Sequence, residues 1–223
     1  MRKWTLLLIP TLIAALLAAV SPAAAQGFAD LPGLERAVVR AWLAPESADT
    51  SAASPVPGQD LVGTPAPTLD PATVSGTLFL SIGVFEFDSD DTAIGGFDSL
   101  ASYVAQVSDG DPQFAGGSRT ELGIGDQSLA ATSTQAKDDI PFSFLVAVVR
   151  QGDLVFLLQG TLVRLDATTE TSRLVTSLLA GVPGEESGTY DPAGGSTGGL
   201  WNVFANVEPA IVPGTEVLDA TVK

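Results

Sequence analysis

The sequence predicts an α+β domain of two layers: an antiparallel sheet of about four to five strands with two helices packed on one face. Three observations predict it. The run Phe142 to Val163, "FSFLVAVVRQGDLVFLLQGTLV", holds two apolar segments about a Gly152-Asp153 turn, the mark of an antiparallel hairpin. Segments opening at Asp88 and at Asp166 repeat apolar residues at helical spacing. The patterned elements together occupy residues 73–183, enough chain to close one core without staples. Two amphipathic helices can then bury one face of the sheet.

Residues 1–25 read as an export signal, with Arg2 and Lys3, an apolar stretch from Leu6 to Val20, and small residues Ala23 and Ala25 ahead of Gln26. The apolar stretch is shorter than the ~20 residues that span a bilayer. Residues 26–72 hold a leader, the segment "LERAVVRAWLAP" and a linker rich in Pro, Ser and Ala. As a helix, that segment would align Leu34, Val38 and Trp42. As a strand it would turn Ala37, Val39, Ala41 and Leu43 inward and Arg36, Val38, Arg40 and Trp42 outward. The clean alternation favours the strand. The linker, Glu46 to Ala72, has little to bury.

The core domain, residues 73–183, opens with a long strand. Leu78, Leu80, Ile82 and Val84 mark it, then Phe85 and Phe87 across a bulge or twist, with Gly83 inside. The first helix places Ile94, Phe97, Ala101 and Val104 on one face, with Leu100 and Val107 beside them. Arg119 to Gln135 is weakly strand-like, and the hairpin follows. Asp166 or Thr168 caps the second helix, Leu174, Val175, Leu178 and Leu179 form its stripe, and Gly181 and Pro183 stop it. Residues 184–199 are a Gly-rich loop. Residues 200–223 are an apolar tail with Trp201, Val203 or Phe204, and Val207 to bury. "ADLPGLERAV" and "AIVPGTEVLDA" share Ala-x-x-Pro-Gly-x-Glu. If this is a repeat, the two ends of the chain pair along sheet edges.

Composition narrows the chemistry. Arg2 and Lys3 are the only charges in the signal, so its removal leaves eight basic against 26 acidic residues, a net charge of −18. That field repels nucleic-acid backbones and anionic lipid, so no nucleic-acid partner and no stable membrane anchor after signal cleavage are expected. The chain has no Cys and no His. Thiol nucleophiles, Cys/His zinc sites and a Ser-His-Asp triad are therefore excluded. A hydrolase here would need a carboxylate pair or a Ser-Lys arrangement, and for the second route the mature chain keeps only two lysines, Lys137 and Lys223.

The densest charge is "FEFDSDDTAIGGFDS", Phe85 to Ser99. An EF-hand loop counted from Asp88 wants Gly at position 6 and Glu at position 12. It meets Ala93 and Ser99 instead. A looser calcium site would use Glu86, Asp88, Asp90 and Asp91. The alternative is helix capping, with Asp88 or Ser89 accepting from free N–H groups and Asp90 and Asp91 in the first turn, where the helix dipole favours negative charge. Gly95-Gly96 inside that helix costs about 1 kcal/mol per glycine relative to alanine; a close helix–sheet approach would be one reason for it, and the sequence leaves the role of the pair open. Trp42 and Trp201 are candidates for sugar stacking or for docking against the core. Glu121 with Asp126, and Glu185 with Glu186, are carboxylate pairs whose separation the sequence leaves open. Tyr190 and Asp191 read as part of a solvated linker. No catalytic or cofactor-binding residue is assigned, and no cofactor is expected.

The runs "VFEFDSDDTAIGGFDSLASYV", "GIGDQSLAAT" and "FLVAVVRQGDLVFLLQG" carry a resemblance over Val74 to Val182. The chain resembles secreted proteins of high-GC bacteria, and the small extracytoplasmic sensor-like modules of actinobacterial lipoproteins and receptor kinases. The resemblance implies ligand or partner binding at the cell envelope and carries no active-site residue. The chain departs from many such modules in lacking cysteines and a lipid-anchor site.

The resulting expectation is a secreted or extracytoplasmic, non-enzymatic binding or sensor-like module with an unknown ligand or protein partner. The alternatives are a carboxylate-dependent extracellular hydrolase acting on glycans, and a calcium-stabilised envelope protein.

Overall fold

The computed structural model describes residues 28–44, 75–137, 139–182, 198–212 and 214–223. The predicted signal, the linker, Pro183 and most of the Gly-rich loop lie outside these residues. The elements run β1 (Leu34–Leu43), β2 (Gly76–Phe87), α1 (Asp90–Gly110), a 3-10 turn (Pro112–Phe114), β3 (Ser118–Thr120) and β4 (Gln127–Lys137). They continue with β5 (Ile140–Gln151), β6 (Leu154–Val163), α2 (Ala167–Ala180), a single turn α3 (Gly198–Trp201), a 3-10 stretch (Asn202–Asn206) and β7 (Glu216–Thr221). No helix among the described residues is long and apolar enough to cross a membrane.

The α+β class and the antiparallel sheet are as predicted, but the sheet is larger. Seven strands lie in the order β3-β4-β5-β6-β2-β1-β7, each antiparallel to its neighbours. The weakly strand-like stretch divides into β3 and β4. The tail supplies β7, which pairs with β1 from Val38↔Thr221 to Leu43↔Glu216. The first and last strands of the described residues thus meet along one edge.

The helix placement departs from the prediction of two helices on one face. Successive strand residues point to opposite sides, and here each side has its own core. Leu145, Ala147 and Val149 of β5 pack with Leu174, Val175 and Leu178 of α2 and with Leu200, Val203 and Phe204. The intervening Phe144, Val146 and Val148 pack with Phe97, Leu100 and Val104 of α1. The sheet is therefore the middle layer of three. The physical reason is visible in β5 and β6, whose near-continuous apolar runs need cover on both faces.

The same fact corrects the orientation of β1. Of the residues expected to face inward, Ala37 is buried, on the α1 side, while Val39, Ala41 and Leu43 are half-buried. The face expected to meet water carries Val38 and Trp42, both buried in the α2-side core.

Local chemistry sets both helix starts. Ser89 caps α1, accepting from Thr92 N at 3.4 Å, while Asp88 Oδ1 accepts from Thr92 Oγ1 at 2.6 Å. Asp166 caps α2, accepting from Thr169 N at 2.8 Å, and this bonding holds its carboxyl below the usual range. On α1 the buried stripe is Ala93, Gly96, Phe97, Leu100 and Val104. Ile94, expected on that stripe, is 39% exposed.

Candidate functional site

Two regions remain after the core is assigned: an acidic rim at one end of the sheet and the outer edge at β7. The rim forms because four segments meet there. Phe87 N donates to Asp153 O at 3.0 Å, and Asp88 N donates to Gly33 O at 2.9 Å. These bonds draw the β5–β6 turn, the end of β2 and the approach to β1 together. Gly152 takes φ +58° in that turn, a left-handed conformation glycine adopts without strain. Gly152 N donates to Asp126 Oδ2 at 2.8 Å, and Arg150 ties the turn further through Gln127 Oε1 at 2.8 Å and Gly152 O at 3.0 Å.

The residues singled out by sequence reach this rim in separate structural roles. Glu86 is gripped by Arg36, its cross-strand partner: Nε donates to Oε2, and Nη2 donates to Oε1 at 2.6 Å. Asp88 is bonded by the Ser89 and Thr92 hydroxyls. Asp90 and Asp91 occupy the first turn of α1. Among the described residues, no group of three or more His, Cys, Asp or Glu side chains is arranged to hold a metal ion.

Asp153 is the residue that sequence reading missed. Burial, together with the nearby charges of Glu86, Asp90 and Glu35, pushes its carboxyl above the usual range, against a lowering hydrogen bond from its own backbone. Its place in the hairpin turn was legible, but its acidic neighbours come from β1, β2 and α1. The linkage follows from the sign of the shift. Folding favours the protonated form, so Asp153's contribution is present at low pH and is lost as pH rises through its raised value. Asp153→Asn is therefore expected to gain melting temperature over the parent progressively as pH rises above the ordinary aspartate value, about 4, and through the raised one. A pH-independent difference in thermal melts would contradict this.

At the other region, Arg40 joins the tail to the core. Its Nε and Nη2 donate to Asp219 Oδ1 and Oδ2 at 2.7 and 2.8 Å. This bonding lowers the Asp219 carboxyl and raises the guanidinium. The same guanidinium lies 4.9 Å from the Phe204 ring centroid and 5.5 Å from that of Trp201, within cation–π range. Trp42 packs edge-on against Phe204 at 6.3 Å. The two tryptophans are thus docked against the core.

Beyond this cluster β7 is exposed at every position. Val217 and Leu218 are each 51% exposed. Two buried hydroxyls, Thr77 Oγ1 and Thr161 Oγ1, lack a hydrogen-bond partner among the described residues. Thr77 pairs with Leu162 of the α2-side core, next to Thr161, so the two hydroxyls lie on opposite faces and form no joint site. Of the other proposed pairs, Asp126 serves the β5–β6 turn and Glu121 is exposed. Glu185, Glu186, Tyr190 and Asp191 lie outside the described residues. No protein-family model, curated protein or solved structure matches the chain.

Proposed function

We propose that the protein is a secreted, non-enzymatic module of the bacterial cell envelope that binds a partner through the outer edge of its sheet. The observation that carries this is β7, a regular edge strand exposed throughout, with large apolar side chains at Val217 and Leu218. Exposed edges of this kind template the addition of another strand. Support also comes from the export signal, the absent His and Cys, and the resemblance to extracytoplasmic sensor-like modules. Glu86 and Asp88 are held by Arg36, Ser89 and Thr92, which leaves them poorly placed as free catalytic carboxylates.

The test is a thermal shift screen on residues 26–223 with short extended peptides and cell-wall oligosaccharides, with turnover of each compound measured in parallel. A saturable rise in melting temperature without turnover is expected. Turnover that Asp153→Asn abolishes would overturn the reading in favour of a carboxylate-dependent glycan hydrolase. The raised Asp153 carboxyl is the observation that keeps that second reading in view.

A further inference from the structure

The edge formed by β7 has a definite phase. Val222 N donates to Ala37 O at 2.8 Å, so the even-numbered N–H groups of this strand turn toward β1. Those of Val217, Asp219 and Thr221 therefore turn outward. Leu218 pairs with Ala41 and lies on the α1 side, whereas Val217 pairs with Trp42 and lies on the α2 side. Both sides of the strand thus offer an apolar side chain beyond the reach of the helices. Proteins commonly shield such an edge with a lysine, a proline or a bulge. The stretch Glu216–Thr221, "EVLDAT", contains no lysine or proline, and its register against β1 runs without a shift. Asp219 is a charge on this edge, but Arg40 binds it through two hydrogen bonds.

The geometry points to a second copy of this chain as the occupant. The two β7 strands would pair antiparallel across a two-fold axis and make one continuous sheet of fourteen strands, twice the seven of one chain. This inference rests on the reading of β7 as the binding surface. A two-fold axis perpendicular to the sheet keeps like faces together, so only residues of equal parity oppose one another. With Leu218 on the axis, Leu218 meets its own copy as a non-hydrogen-bonded pair. Val217 then exchanges hydrogen bonds with Asp219, and Glu216 lies opposite Ala220. No like charges oppose. A slide of two residues one way sets Asp219 against its copy, which is destabilising. The opposite slide leaves only Glu216 to Leu218 of each strand paired. Ladder phase allows all three registers, and charge together with the length of strand paired selects the one centred on Leu218. The overall negative charge works against association, but charges more than about 8 Å apart are largely screened at physiological salt. The dimer is accordingly expected to tighten as salt is raised.

The absence of cysteine makes the test direct. Sedimentation of residues 26–223 over a hundredfold range of concentration is expected to show a monomer–dimer equilibrium. Leu218→Lys should abolish it, while Ile94→Lys, on the exposed surface of α1, should leave it intact. Leu218→Cys should cross-link on mild oxidation, since a non-hydrogen-bonded pair brings Cα atoms to about 4.5 Å, within disulfide range. Val217→Cys should not, because its copies stand about 7–8 Å apart on the diagonal. A chain that stays monomeric, with no Leu218→Cys cross-link, overturns the dimer. If Leu218→Lys then still erases a peptide-induced thermal shift, the binding-module reading survives that failure. Turnover abolished by Asp153→Asn would overturn the module reading and leave the dimer standing.

Discussion

Replacing Arg36 with methionine is expected to destabilise the fold by about 3–5 kcal/mol, the usual cost of removing one partner of a buried ion pair. The side chains of Arg36 and Glu86 are only 17% and 9% exposed, so both charges have been taken largely out of water. The fork of the guanidinium meets the two oxygens of Glu86 in register. This bidentate geometry gives such a pair its strength and a lysine cannot reproduce it. The surroundings add to the effect. Glu86 stands close enough to Asp153 to push that carboxyl upward, so loss of Arg36 leaves a carboxylate among carboxylates. Urea denaturation of the parent, Arg36→Met, Glu86→Leu and the double variant forms a complete cycle. The double variant should recover most of the loss, because an apolar pair of similar volume avoids the desolvation of two ions. A single-variant loss below about 1 kcal/mol would mean that the pair behaves as an exposed one.

Arg36 also shows where the sequence was hard to read. Its alternation with Val38, Arg40 and Trp42 looks like a wet strand face, and in an antiparallel sheet covered on one side it would be one. The structure covers that face as well. Arg36 is accommodated by Glu86, fifty residues later, and Arg40 by Asp219 at the far end of the chain. Neither partner is visible in a local window. The second layer nevertheless left a trace: "FLVAVV" and "LVFLL" are apolar at every position rather than every second one, the pattern of strands buried on both faces. Element types were legible because they are local, as with the α1 and α2 caps and the Gly152-Asp153 turn. Layering and the acidic rim were not, because they depend on which segments meet. The concentrated acids of Phe85 to Ser99 drew attention as a ligand set, yet the structure divides them between an ion pair and a helix start.

The glycine pair in the same stretch gives the second large effect, and its two members are expected to behave oppositely. A Cβ built on Gly96 would lie 2.2 Å from Phe87 Cζ, with Cε1 and Cε2 at 2.7 and 2.8 Å. Phe87 is 2% exposed and closes the α1-side core beside Ala93 and Phe97, so the ring has little room to retreat. Gly96→Ala is therefore expected to cost about 1–3 kcal/mol through overpacking, a net loss despite alanine's advantage of about 1 kcal/mol within a helix. A Cβ on Gly95 meets nothing within 4 Å. Gly95→Ala should accordingly stabilise by roughly 1 kcal/mol, the propensity term alone. Trimming the ring should relieve the first variant. In a double-mutant cycle with Phe87→Leu, the Gly96→Ala loss should shrink, since the two changes share one contact and cannot be additive. Denaturation curves that move equally for Gly95→Ala and Gly96→Ala would reject this account. They would make the pair a matter of helix flexibility, whereas opposite signs establish Gly96 as the point where α1 lies against the ring of Phe87.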